Sequence, residues 1–336
     1  MTKNFNISTR VLTLIVTLAI LIASLPLTVF AIERSDEEST GEEMVSEEVG
    51  RVSTYTYELK EQREEYTKYF KQPDGSVYVA QYDLPVHYLD NNDEWQDIDN
   101  TLRSSGSEYS TNSARIKFAK KINGNNSLFT LHDGNHKLTL SLNGAIKKTA
   151  GKVVEFDDDR EYDTELQKMT ALSKLSANIV YENILDNTDV EYVIRSYNVK
   201  ENIIVKEKGD TYVYTFTIKL NNLDAELDEN GEINIFDPES GELIYCIPAP
   251  VVYDSNGEYA PDEASHFVLS KSGNNTYSLS VVADSEWMNA EERAFPVTVD
   301  PTFYYGGRNL GQMRDTFVSS ANPNTKYGSL LNGPPL

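Results

Sequence analysis

The segment Thr211-Tyr212-Val213-Tyr214-Thr215-Phe216-Thr217-Ile218-Lys219-Leu220 alternates apolar and polar side chains with a period of two. Tyr212, Tyr214, Phe216, Ile218 and Leu220 share one side, and Thr211, Thr215, Thr217 and Lys219 share the other, with Val213 the exception. Successive side chains of a strand point to opposite faces, so this reads as a strand with one buried and one solvated side. Leu138, Leu140 and Leu142 repeat the pattern against Lys137, Thr139 and Ser141, as do Tyr277, Leu279 and Val281, and Phe295, Val297 and Val299. Turn signals separate such runs: Pro73-Asp74-Gly75, Asp133-Gly134-Asn135, Asn143-Gly144, Glu229-Asn230-Gly231, Glu239-Ser240-Gly241 and Ser255-Asn256-Gly257. Gly and Asn supply the positive φ that tight hairpins need. Many short strands joined this way predict a mainly β chain of antiparallel, sandwich-like sheets. One short N-terminal helix is expected within 58–70, where Leu59, Tyr66, Tyr69 and Phe70 recur at rough helical spacing.

The organisation follows from composition. Lys3 and Arg10 precede an apolar run from Val11 to Phe30, and Ala31 offers a small residue for cleavage, so 1–31 is expected to be a signal peptide. An uncleaved anchor is the competing reading, because the run is long enough to span a bilayer. Residues 32–54 are rich in Glu and poor in large apolar residues, which predicts a disordered acidic linker. Residues 55–302 form the β-rich region, with a candidate seam between two units over 152–176, where the alternation fails. Residues 303–336 are expected to start a further module. The protein is therefore expected outside the membrane, secreted or at the cell surface.

With 53 acidic and 30 basic residues the formal charge is −23, and 1–31 carries two of the positive charges and no acid. Such a chain repels nucleic acid and anionic lipid, and the charge keeps an exported protein in solution. Cys246 is the single cysteine, so no intrachain disulfide forms and a packed core must hold the fold. Its strand-like setting, Leu243-Ile244-Tyr245-Cys246-Ile247, points to a buried structural thiol with no electropositive neighbour to activate it.

Candidate chemistry is thin. The four His residues occur in no HExxH arrangement, and GxSxG, CxxC and Gly-rich phosphate loops are missing from the sequence. His132 and His136 flank Asp133-Gly134-Asn135, where a hairpin would bring the imidazoles face to face as two ligands of a transition metal, without a third. Asp90 with Asp93, and Asp157 to Asp159, could offer oxygens to calcium, but neither has the spacing of a calcium loop, and solvated turns are the plainer reading. Trp95 and Trp287 are expected to anchor the fold. The 21 tyrosines either fill half-buried strand positions or, if exposed in a row, stack on sugar rings. No catalytic, cofactor-binding or metal-binding residue is assigned, and no enzyme activity is expected. A hydrolase built on two carboxylates is the third reading after a scaffold and a carbohydrate-binding module. Oligomeric state is not readable from these features.

Several segments together resemble the N-terminal region of large secreted proteins of Gram-positive bacteria that carry DNRLRE-type modules, often ahead of Rhs or YD-repeat regions. They are Pro85-Val86-His87-Tyr88, Glu94-Trp95-Gln96-Asp97-Ile98-Asp99-Asn100-Thr101-Leu102, Lys200-Glu201-Asn202-Ile203-Ile204 and Ile247-Pro248-Ala249-Pro250. The run from Arg293 to Thr302, the stretch from Asp315 to Asn324 and Tyr327-Gly328 complete the set. The resemblance implies an exported scaffold that presents downstream modules, with wall or host glycans as partners and no cofactor. It implies that 303–336 is the truncated start of a DNRLRE-type module. Any toxin or enzymatic activity in such proteins would lie downstream, so the resemblance lends none to this chain. The Pro296-to-Pro301 run reads as the last strand of a domain, closed by a proline stop.

Overall fold

The computed structural model describes residues 55–305, apart from 91, 114, 124–126, 155–160 and 173. The expected signal segment, the acidic linker, the Asp157–Asp159 triplet and the module start after Tyr305 lie outside the described residues. The described part is mainly β. Strands β1 (Tyr57–Glu58), β2 (Thr67–Lys71) and β3 (Val77–Gln81) make a small antiparallel sheet, and β4 (His87–Leu89) pairs with β5 (Trp95–Asp97) as a hairpin. The helix expected within 58–70 is replaced by one 3-10 turn, Lys60–Gln62, followed by β2. The reason lies in burial: Thr67 and Phe70 are buried with half-buried Lys68 and Tyr69 between them, and register with β3 satisfies the backbone that a helix would have bonded internally.

The chain then runs through β6 (Arg103–Ser105), β7 (Glu108–Ser110), β8 (Ile116–Ala119), β9 (Phe129–Asp133) and β10 (His136–Leu142), a meander. It leaves for a second sheet with β11 (Gly151–Val154), the helix α1 (Glu165–Thr170), β12 (Ala177–Leu185), β13 (Thr188–Ile194) and β14 (Asn198–Val205). Strand β15 (Val213–Asn221) returns to the first sheet. Next, β16 (Asp224–Leu227), β17 (Ile233–Phe236), β18 (Leu243–Ile247) and β19 (Val251–Tyr253) belong to the second, and β20 (Ser265–Gly273) and β21 (Thr276–Ala283) complete the first. The helix α2 (Ser285–Asn289) leads to β22 (Val297–Asp300) and β23 (Thr302–Tyr305). The first sheet has the order β20-β21-β15-β10-β9-β8-β7-β6. The second has β11-β12-β13-β14-β23-β18-β17-β16, with β22 bridging β14 and β19.

The deciding segment lies at the middle of the first sheet. Tyr214, Phe216, Ile218 and Leu220 are buried, Tyr212 just before the strand is buried too, and Val213 is exposed. Phe216 stands opposite Leu142 on one side and Leu279 on the other, and Ile218 opposite Leu140 and Tyr277. Thr215 meets Ser280 through a 2.9 Å hydroxyl contact on the opposite face. The buried faces of the two sheets share one cluster: Phe118 and Phe129 of the first lie 5.1 Å and 5.3 Å from Tyr192 of the second, and Phe129 meets Phe303 edge-on at 5.3 Å. Offset and edge-to-face contacts of this kind add to what burial of the rings contributes. The Tyr181 hydroxyl donates to the Ala119 carbonyl at 2.6 Å, tying the sheets together. At Gly151 a Cβ would sit 2.7 Å from Ile179 Cδ1, so only glycine lets β11 lie this close to the side chains of β12.

Residues on both sides of 152–176 contribute to the same cluster. Pro301 does not end the last strand: β23 follows it directly, pairs with β14 and β18, and buries Phe303. A proline interrupts a strand only where its missing N–H is needed, and here the chain steps from β22 to β23 along the same partner, β14. Strand alternation also starts later than the sequence suggests, at Val297, with half-buried Phe295 packed against the core ahead of a cis Phe295-Pro296 bond.

Candidate functional site

Several turns are organised by an aspartate side chain. Asp228 and Asp254 each accept from the backbone N–H groups two and four residues on, at 2.9 and 3.0 Å and at 2.9 and 3.1 Å. Asp90 does the same with Asn92 and Glu94 at 2.8 and 3.1 Å. Each turn closes through a residue at positive φ, Gly231, Gly257 or Asp93. The Asp90–Asp93 pair is thus a hairpin turn in which Asp90 holds backbone and Asp93 supplies the left-handed residue.

The two hairpin histidines do not face each other. Register pairs His136 with Asp133 and Lys137 with His132, which sets the imidazoles on opposite faces. His132 is exposed, and His136 Nε2 lies 3.0 Å from Asp237 Oδ2. A shared metal between His132 and His136 is therefore ruled out by a two-residue turn, where the sequence reading needed three. Cys246 is buried in β18, as expected. Trp287 packs against the core and carries the Arg293 guanidinium 3.8 Å above its ring, while Arg293 Nη1 reaches Asp254 at 3.2 Å.

Sequence reading missed a cluster that joins the small sheet to the β4–β5 hairpin. Arg63 donates to both oxygens of Glu58 at 2.8 Å, to Asp97 Oδ2 at 2.7 Å and to the Trp95 carbonyl at 3.2 Å. Lys68 Nζ lies 2.5 Å from Asp97 Oδ1. His87, cross-strand from Asp97, is 1% exposed. Its Nδ1 meets the Glu64 carbonyl at 2.6 Å, and its Nε2 stands 3.6 Å from Asp97 and 3.8 Å from Glu58. Because Nδ1 faces a carbonyl it carries hydrogen, and a neutral ring would turn a bare Nε2 toward two carboxylates; the imidazolium suits the site instead. Burial opposes that charge, but Asp97 and Glu58 outweigh it and raise the His87 pKa. Burial also opposes the charge on Glu58, and His87, Arg63 and Lys68 overcome it, holding the carboxyl at about 2. Asp97 falls well below the usual carboxylate range for the same reasons.

Glu58, His87 and Asp97 bring three ligand atoms within 4.8 Å of one another. Arg63 and Lys68 already donate to the Glu58 and Asp97 oxygens that a cation would take. The arrangement fits an ion-paired clamp better than a metal centre. The only separation signal in the sequence is the Pro85–Tyr88 and Glu94–Asp97 motifs, which place His87 and Asp97 but say nothing of Glu58 or Arg63.

A cleft of about 680 Å³ opens beside the clamp, between the hairpin and the ends of both large sheets. Tyr88, Trp95, Tyr197 and Tyr305 supply aromatic surface. Ser113, His132 and an Arg115–Asp133 ion pair of 2.6 Å supply polar groups. At its inner end a smaller space of about 30 Å³ is bordered by Ser196 and Tyr245. The Tyr245 hydroxyl and Ser196 Oγ are both buried without a hydrogen-bond partner. Tyr305 is fixed by its hydroxyl, 2.7 Å from the Arg195 carbonyl and 2.9 Å from that of Asn198. These residues come from seven separate strands or turns, which is why no local motif reveals the cleft.

No family model matches the chain, and no solved structure matches it. Over 280 residues, 81% of its length, it is 29% identical to the tRNA nuclease WapA of Bacillus subtilis (strain 168). The same identity and span relate it to the tRNA3(Ser)-specific nuclease WapA of Bacillus spizizenii. The chain is a distant homologue of part of WapA. The matched stretch is 11% of each of these relatives, so the chain spans about a tenth of their length. Among the described residues, no helix is long and apolar enough to cross a membrane.

Proposed function

We propose that this region is a non-enzymatic, exported scaffold that presents the modules following it on a large surface protein. The observation that carries the reading is the continuous aromatic core shared by the two large sheets, centred on Phe118, Phe129, Tyr192 and Phe303. Tyr181, Tyr192, Tyr212, Tyr214, Tyr245 and Tyr277 are buried as well, so most strand aromatics pack the interior instead of forming an open row. The charged clusters described above hold turns and clamp the hairpin. Homology to WapA, a large secreted wall-associated protein, supports export, and the DNRLRE-type resemblance of the C-terminal segment supports the presenting role. The nuclease named in those relatives is no guide to this tenth of their length.

The test fuses a reporter enzyme behind Leu336 and follows its appearance outside the cell. A folded scaffold delivers and displays the reporter, and Phe118→Ala with Phe129→Ala abolishes display. Equal display with the core destroyed contradicts a scaffold role, and turnover of a saccharide, peptide or phosphodiester by the chain without its reporter contradicts the non-enzymatic one.

A further inference from the structure

We propose that the cleft between the β4–β5 hairpin and the sheet ends binds an uncharged pyranose oligosaccharide. This goes beyond a scaffold role, which would stand without it. A volume of about 680 Å³ lies within the range of small-ligand sites. The cleft pairs aromatic faces with fixed hydrogen-bonding groups, and a pyranose ring offers the complement: apolar C–H faces and a rim of hydroxyls.

Two features separate this cleft from an ordinary surface dent. Its inner end holds the Tyr245 hydroxyl, on a side chain 1% exposed, and Ser196 Oγ, neither with a partner. Buried polar groups are almost always satisfied, so a pair of orphans at one cleft marks a place where a ligand or a water completes the hydrogen bonding. The second feature is preorganisation. Tyr305 is pinned by two carbonyls, Tyr197 lies tilted against Tyr304 with ring centroids 6.1 Å apart, and Trp95 is carried on the hairpin that Arg63 clamps. Rigid aromatic rings lose little freedom on binding.

Charge sets the ligand class. Arg115 is neutralised by Asp133, and Glu65 and Asp90 also border the cleft. With an overall charge of −23, the site disfavours phosphorylated or carboxylated polymers. The Ser113 hydroxyl, the His132 imidazole and the Arg115–Asp133 pair together donate and accept, which suits sugar hydroxyls better than the carbonyl-only rim of a proline-rich peptide.

Isothermal titration of the full chain with chitotetraose, cellotetraose and mannotetraose, beside an acidic heparin tetrasaccharide and a decaproline peptide, tests the proposal. Saturable one-to-one binding of at least one neutral tetrasaccharide is expected, quenching or shifting the emission of Trp95. Trp95→Phe removes that optical change and Trp287→Phe keeps it. Tyr197→Ala and exposed His132→Ala each weaken binding about tenfold, with the unfolding midpoint of His132→Ala unchanged. The proposal is overturned if no neutral probe binds, if the acidic sugar or the peptide binds instead, or if both substitutions leave the affinity intact.

Discussion

The Tyr192 hydroxyl donates to Glu201 Oε1 at 2.6 Å, between cross-strand partners of β13 and β14 inside the sandwich. Glu201 is 1% exposed, and burial, with Asp300 nearby, pushes its carboxyl up to about 8 against the easing effect of the Tyr192 bond. The folded protein therefore keeps a proton on Glu201 that the unfolded chain releases near 4.5. Between those values the folded state binds more protons, so stability falls as pH rises, by about 1.4 kcal/mol per pH unit, and levels off above the folded value. Glu201→Gln should flatten this slope. Denaturant unfolding at a series of pH values between about 5 and 9 measures it; an unchanged slope in the variant means that Glu201 is not the group responsible.

The clamp should behave oppositely in acid. Glu58 and Asp97 have lowered pKa values, so their contribution is complete above the ordinary carboxylate range and is lost as pH falls toward about 2. At neutral pH, Arg63→Met leaves Glu58 without its bidentate partner and should cost about 3 kcal/mol, the scale of breaking one side of a buried pair. Thermal unfolding at neutral pH and in acid checks both, with the variant expected to lose most of its acid sensitivity.

Phe216→Ala should cost about 3–5 kcal/mol, because the ring is buried between Leu142 and Leu279. Thr217→Ala, on the other face, should stay within about 0.5 kcal/mol. Equal losses in urea unfolding would show that the faces are exchanged.

Strand periodicity was readable wherever one face is buried and the other wet, as along Val213–Asn221 and His136–Leu142. It misled where burial is brief: around Tyr66–Phe70 the apolar residues suit a helical stripe and a short strand equally, and pairing with β3 decides. The His132–His136 relation turned on a single residue of register, which spacing alone does not fix. The cleft and the Glu58 and Arg63 side of the clamp escaped for another reason: Glu58 reaches His87 and Asp97, and Arg115, Ser196 and Tyr305 come to one cleft, only once the strands are assembled.

Phe303 extends the folded unit past Pro301. Compared with a chain ending after Tyr305, one ending at Pro301 loses β23 and the Phe129 contact and should be less stable by several kcal/mol, on the order of a large core truncation. Matched melting points for the two truncations would return the boundary to Pro301.

The scaffold account stands or falls on whether sandwich and clamped hairpin behave as one body. Trp287 reports the sandwich and Trp95 the hairpin, so equilibrium unfolding of Trp95→Phe and Trp287→Phe, followed by the remaining indole, reads the two parts separately. The account predicts one coincident transition for both reporters and for circular dichroism. Separate transitions, with the Trp95 signal lost well before the sheets unfold, would contradict it.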